Sequence, residues 1–304
     1  MDFFITFFNA VPGSIAQGLI WGLMALGVFI TYKILDIADL TVDGTMSLGG
    51  AVCVMLIRQN FDPFISILFA FLSGLIAGFI TGIFTTKCKI PVILAGILTQ
   101  LALYSINLRV MLGRANQPVS VDKYNLLVSQ RNVYSFFINN PLIVLLIIVL
   151  IIVTILYWFF GTEFGSAIRA TGDNKKMSRA SGINTDFNIV FGLMLSNGLV
   201  ALSGSLLAQY QGANDVNMGK GAIVIGLAAV IIGEVLFNKL AKNYFIKMFT
   251  VIFGAIIYYF VLQIVLQFGL NTNDLKLFTA LFVAIFLTIP HLTLNNIMKG
   301  NGGK

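Results

Sequence analysis

Apolar runs separated by short polar ones repeat along almost the entire chain, and their length decides the class. Each run of roughly 20 apolar residues can cross a hydrocarbon core about 30 Å thick as a helix. They place spans near 11–31, 40–57, 63–85, 92–112, 141–160, 188–209, 222–237, 246–268 and 277–292. The expectation is an all-α, polytopic integral membrane protein of about nine transmembrane helices. The second and seventh spans are short and rich in glycine, which predicts tilted or broken helices. No connection is long enough to hold a soluble domain, so 1–304 reads as a single transmembrane domain.

One long passage interrupts the apolar pattern. Residues 161–188 read GTEFGSAIRATGDNKKMSRASGINTDFN. Phe164, Ala167, Ile168 and Thr171 recur at helical spacing, and Gly172 is the expected break. Asp173 is the expected N-cap of a second short helix through Ser181, with Gly182 ending it. A tight turn would suffice to reverse the chain between two spans. A polar helix pair in that place predicts a docking element for a soluble partner.

Composition sharpens the class and supplies an orientation. Hydrophobic residues make up 58% of the chain and charged residues 10%, with mean hydropathy +0.93. A soluble protein would carry about a quarter charged residues. With 161–188 placed inside, most of the 19 Lys and Arg residues fall on the same side. These include Lys33, Lys87, Lys89, Arg169, Lys175, Lys176 and Arg179. The positive-inside rule then sets the N-terminus outside and the C-terminus in the cytoplasm. The net charge of +7 is accounted for by this topology, and no exposed basic stripe with interleaved aromatics calls for a nucleic-acid partner. Asp2 stands where a signal peptide would be basic. Cys53 and Cys88 fall at different membrane levels, which argues against a disulfide or a metal pair. The Ile-, Phe-, Asn- and Lys-rich composition suggests a bacterial source.

Ionisable residues inside apolar runs are the first candidates for function, because a charge at mid-membrane costs about 3 kcal/mol. Asp36, Asp39 and Asp43 are spaced to share one helix face, as a polar lining at the entrance of a translocation pathway, as a brace holding a broken span, or as an acidic loop before the second span. Glu234, at the inner end of the seventh span, is placed to pair with a lysine of the following loop or to meet a docked partner. Gly74, Gly78 and Gly82, like Gly18 and Gly22, form smooth stripes for close helix approach, within the bundle or between subunits. The polar connection 113–140 is either a landing surface for an external protein or a solvated connector. Catalytic patterns are missing. His291 is the one histidine, no metal-ligand cluster appears, and GANDVNMGKG fails the spacing of a phosphate-binding loop. The expectation is a transport protein that is not an enzyme, binds no cofactor directly, and draws any energy from a partner or an ion gradient.

Three passages in order, LDIADLTVDGTMSLGGAV, FGSAIRATGDNKKMSRASGIN and MGKGAIVIGLAAVIIGEVLF, resemble the inner-membrane permeases of bacterial ABC importers. The resemblance covers roughly 15–290 and is strongest to the branched-chain amino-acid and ribose permease group. Within it, the chain looks most like the subgroup associated with tryptophan- and tyrosine-type uptake. The resemblance implies that Glu163–Asn184 seats on a cytoplasmic ATP-binding subunit, which hydrolyses the ATP. Arg169, Gly172, Asp173, Asn174 and Gly182 match the shared pattern of that coupling segment, which begins at Glu163, and the loop's own residues add Phe164 and Ile168 as an apolar knob with Lys175, Lys176 and Arg179 as a polar rim. The resemblance further implies a second permease copy, an external substrate-binding protein and a surrounding lipid bilayer, while Asp39, Asp43 and Glu234, as ionisable residues within or at the ends of apolar runs, are the candidates for the pathway. The implied cargo is an amino acid, aromatic ones included, or a similar small nutrient. Lys175-Lys176 stands where related loops carry an Asn-Pro-like turn. The competing expectation is an ion-coupled secondary transporter or channel, in which the buried acids would be ion sites.

Overall fold

The computed structural model describes residues 2–134, 140–237 and 243–267, with isolated positions between 277 and 288. The continuous described stretches hold ten α-helices in order: α1 (Asp2–Phe29), α2 (Val42–Arg58), α3 (Pro63–Thr86), α4 (Val92–Val110), α5 (Pro141–Gly161), α6 (Glu163–Asp173), α7 (Lys175–Ala180), α8 (Thr185–Gln211), α9 (Ala222–Phe237) and α10 (Tyr244–Gln267). Six stretches among the described residues are long and apolar enough to cross a membrane: Ala10–Ile34, α3, α4, α5, α8 and α10. The expected second and seventh spans are the shorter helices α2 and α9. The expected ninth span, 277–292, lies largely outside the described residues, as do Lys239, Lys242, His291 and Lys299.

Helix starts follow the local sequence. Asp62 and Asn140 each accept a hydrogen bond from the backbone two residues on, at 2.8 and 3.0 Å. Each is followed by proline in the first turn of α3 or α5, where the missing N–H costs nothing.

Packing is organised around α8, whose middle is buried. The glycine stripe of α3 lies against it. A Cβ on Gly74 would come within 2.4 Å of the Asn197 carbonyl, and one on Gly78 within 2.3 Å of the Leu193 carbonyl. The stripe therefore packs inside the bundle. Gly18 and Gly22 of α1 serve the same purpose against Ile256 and Ile252 of α10. The two pairings, α3 on α8 and α1 on α10, link the first four spans to the last ones by exchange, and in each pair the helices run antiparallel.

The chain between α1 and α2 departs from the helical expectation for Asp36, Asp39 and Asp43. α1 ends in a wide π-helical turn, Ile30–Ile34, in which Leu35 N–H donates to the Ile30 carbonyl at 3.0 Å. Asp36 then adopts a left-handed conformation, φ 54°, and 37–40 is non-helical. The aspartates thus sit on an irregular segment and on the first turn of α2. Leu35, Ile37 and Asp39 of this irregular segment are buried in protein, while Asp36 and Ala38 are exposed and Asp36 borders a cleft.

On the face remote from α6 and α7, the described part of the connection after α4, 113–134, is tied down. Asn116–Pro118 pairs antiparallel with Ala213–Asp215, and Gln130–Tyr134 forms a 3₁₀ turn. Gln117 bonds both Arg58 and the Met111 carbonyl.

Candidate functional site

Two features carry chemistry: a helical hairpin at one end of the bundle and a pair of short helices that start inside it.

The hairpin is α6 and α7. Thr162 caps α6 by accepting from Gly165 N–H at 3.2 Å. Asn174, in an extended conformation, caps α7 by accepting from Lys176 and Met177 N–H at 3.1 and 3.0 Å. The expected cap at Asp173 is therefore one residue early, and Asp173 is the exposed last residue of α6. Gly172 does not break the helix. It allows α6 to touch the end of the π-helical turn, since a Cβ there would stand 1.8 Å from the Ile34 carbonyl. Gly182 takes the left-handed conformation, φ 81°, that closes α7.

The apolar face of the hairpin turns inward. Ile168 is fully buried. Phe164 stacks edge-on with Phe159 and Phe191, with centroids 5.9 and 4.9 Å away, and packs against Phe187. Ile168 therefore holds the hairpin onto its own bundle, while Phe164 is half-buried beside Phe187, which is itself exposed. Thr171 accepts from Asn188 Nδ2 at 2.9 Å, and Arg179 pairs with Asp186 at 2.7 Å. Arg169 lies over the Tyr244 ring at 4.9 Å. The solvent-facing side chains of the hairpin include Glu163, Asp173, Asn174, Lys175, Lys176, Arg179 and one large apolar side chain, Met177, at 54% exposure. Beside the hairpin opens a cleft of about 590 Å³ lined by Lys33, Asp36, Arg169, Asp173 and Tyr244 among others.

Glu234, at the hairpin end of α9, pairs with Lys33 at 2.9 Å, and the lysines of the loop after α9, Lys239 and Lys242, lie outside the described residues. Both partners are partly exposed, so the pair contributes at most about 1 kcal/mol.

The short helices meet at mid-height. Asp39 is fully buried and accepts from Thr41 N–H at 2.9 Å and from Asn197 Nδ2 at 2.7 Å. Asn197 stands halfway along α8 and in turn accepts from Thr45 at 2.7 Å. Thr41, Thr81 and Thr99 continue the chain of hydroxyls at 2.9 and 3.0 Å, joining α2, α3 and α4. Asp43 reaches across to α9 and accepts from Gly221 and Ile223 N–H at 2.9 and 3.1 Å, so one helix supplies the N-cap of another. From this level α2 runs away from the hairpin and α9 runs toward it.

A profile described as "Branched-chain amino acid transport system / permease component" matches residues 11–289. The chain belongs to that family. It is a permease subunit of an ABC importer and a multi-pass membrane protein. Among relatives, a tyrosine transport system permease protein of Clostridioides difficile (strain R20291) is 41% identical over 94% of this chain and 93% of that one. An uncharacterised protein of Rickettsia prowazekii (strain Madrid E) is 35% identical over 92% of this chain and 97% of that one. An autoinducer 2 import system permease of Yersinia pseudotuberculosis is 31% identical over 73% of this chain and 60% of its own length. No solved structure matches. Permeases of this family work with an ATP-binding subunit and a substrate-binding protein.

Sequence reasoning found the hairpin and the permease's acids but missed Asn197 and Met177. Asn197 sits within an apolar span, and an asparagine there was the available signal. Met177 was indistinguishable from a core residue until the opposite face of the hairpin proved to be the buried one.

Proposed function

We propose that this permease carries an amino acid, with aromatic side chains within its range, and that α6–α7 is the element its ATP-binding subunit grips. The observation that carries the reading is the hairpin itself. Its apolar face is committed to the bundle, and its other face presents Met177 between Lys175, Lys176 and Asp173 at the end of the molecule. One flexible apolar side chain within a charged rim fits a shallow apolar pocket on the ATP-binding subunit. In this reading the hairpin end faces the cytoplasm, the N-terminus lies outside, a second copy completes the pathway, and the substrate-binding protein docks on the face holding 113–134. ATP is bound and hydrolysed by the partner, and this chain holds no nucleotide site of its own. The amino-acid cargo is supported by the family description and by the tyrosine permease of Clostridioides difficile.

The mechanism follows from the contacts. A shift of the ATP-binding subunit moves α6, and Gly172 passes that motion by direct contact to the Ile34 carbonyl. Lys33, one residue before, links the same turn to α9 through Glu234. The Asp43 cap joins the other end of α9 to α2. Asp39 and Asp43 act here as braces that hold the short helices beside the pathway.

The test is co-purification. Met177→Glu is expected to keep the permease folded and in the membrane and to lose the ATP-binding subunit. A complex that survives Met177→Glu, paired with Lys175→Glu, refutes the docking assignment. Ion-gradient-driven uptake by this chain alone in proteoliposomes would refute ATP coupling altogether.

A further inference from the structure

We infer that the cleft between the end of α5, α6 and the start of α10 binds the phosphate of an anionic phospholipid, with Arg169 as its cation and Lys247 in support. The inference goes beyond coupling and cargo, and it needs neither ATP nor substrate.

Depth comes first. α5 has 21 residues, Pro141–Gly161. At 1.5 Å per residue it spans about 31 Å, the thickness of a hydrocarbon core, so its Gly161 end stands at the level of the headgroups. Only 22% of its most apolar stretch is buried inside the protein, so the helix runs along lipid. Tyr157 and the 72% exposed Trp158 lie in its last turns, where aromatic side chains collect at a membrane surface.

A cleft of about 350 Å³ opens at this level, large enough for a headgroup. Tyr157, Trp158, Phe160 and Thr162 line it from the α5 side, Arg169 from α6 and Tyr244 from α10. Tyr157 packs edge-on against Phe245, with centroids 5.3 Å apart, and this contact holds the end of α5 against the start of α10.

Charge supplies the ligand class. Among the described residues Arg169 is the one charged side chain lining this cleft. Its guanidinium lies 4.9 Å from the centre of the Tyr244 ring, which lines the cleft with it. The Lys247 ammonium lies 5.5 Å from the centre of the same ring. Neither side chain joins an ion pair or donates a hydrogen bond among the described residues, and the enclosed Arg169 Nε has no acceptor. Asp36 and Asp173 border the adjoining larger cleft and pair with neither cation. A guanidinium whose donors the protein leaves unused suits a phosphate, which accepts from its planar fork. Basic pockets between membrane helices take anionic headgroups in this way. The acyl chains of such a lipid would continue along the exposed side of α5. A free phosphate offers the same anion without the chains, so the experiment must separate the two.

The chain has two tryptophans, Trp158 in the cleft and Trp21 buried in α1, so Trp21→Phe leaves Trp158 as the reporter. The full-length permease in that background is reconstituted in vesicles of phosphatidylcholine and phosphatidylglycerol, with one or the other brominated close to its headgroup. Quenching of Trp158 reads which lipid sits beside it. The expected result is a preference for phosphatidylglycerol of about five-fold or more, falling to near parity in Arg169→Gln with Lys247→Gln. Lys247→Gln alone lowers the preference and serves if the double variant does not fold, and Lys247→Arg retains it. Lys87→Gln with Lys89→Gln removes the same charge from the exposed turn after α3 and leaves the preference intact. Equal quenching by the two lipids before either cation is replaced overturns the inference, as does a preference that survives the loss of both cations. An equal fall in the Lys87 and Lys89 control assigns the preference to bulk charge and also overturns it. Displacement of the preferred lipid by inorganic phosphate assigns the cleft to a soluble anion, with the same consequence.

Discussion

Gly172→Ala tests whether the hairpin is seated rigidly on the bundle. The new methyl would stand 1.8 Å from the Ile34 carbonyl oxygen, 2.7 Å from its carbon and 2.8 Å from Leu35 Cα, all of them backbone atoms. No side chain can rotate away to make room. Ordinary contact begins near 3.4 Å, so α6 and the π-helical turn must separate by about 1.6 Å. Overpacking of this kind costs roughly 1–3 kcal/mol. The hairpin keeps its aromatic seat on Phe159 and Phe191, so the protein folds and the ATP-binding subunit still binds. What fails is transmission. A misplacement of order 1 Å can cost about 10²-fold where geometry is coupled to work. Uptake and ATP hydrolysis are measured together in proteoliposomes, and the expected result is hydrolysis that continues while uptake falls ten-fold or more. Gly161→Ala is the control, because a Cβ there meets nothing within 4 Å. Wild-type uptake by Gly172→Ala, at unchanged stoichiometry, would refute the contact as the route of coupling.

Asp39→Ala leaves the buried Thr41 N–H and Asn197 amide without their acceptor, and should lower stability to denaturant by about 1–3 kcal/mol; Asn197→Ala should be non-additive with it. Asp43→Ala removes the N-cap of α9 and should cost about 1 kcal/mol, read by faster amide exchange at Gly221 and Ile223. Phe164→Asp should reduce the folded yield of the permease itself, since its ring lies in an aromatic cluster; a well-folded variant that merely loses its partner would show that this side chain faces outward. Lys33→Ala should change stability by less than about 1 kcal/mol, and a double-mutant cycle with Glu234→Ala should give a coupling of that size or smaller.

Local pattern carried much of the architecture. The spans expected at 63–85, 141–160 and 222–237 agree with α3, α5 and α9 to within a residue or two, because each is a closed apolar run flanked by its own stop signals. The hairpin was legible as two short helices for the same reason. Its facing was not. Periodicity shows that Phe164, Ile168 and Thr171 share a side, but a buried side looks the same whether its cover is the chain's own bundle or another protein. The aspartates misled in a different way. Spacings of three and four suit a helix, yet Asp39 answers to Asn197, 158 residues away, and Asp43 to Gly221, 178 residues away. Those distant partners fix the backbone at 35–43, and no window of sequence contains them. Gly172 has the composition of a break and the function of a contact surface, a difference that exists only once Ile34 is beside it.

The wide turn at Ile30–Ile34 determines what kind of machine part the first helix can be. A regular α-helix is stiff along its axis and would deliver a displacement at one end undiminished to the other. A turn closed by bonds one residue longer than usual has a looser ladder and can tighten or slip by a residue at small cost. Placed between the hairpin and the rest of α1, it behaves as a compliant joint. Under the proposed coupling, short strokes of the hairpin would be absorbed there or diverted sideways through Lys33 into α9, leaving undisturbed the length of α1 that Gly18 and Gly22 lock on α10.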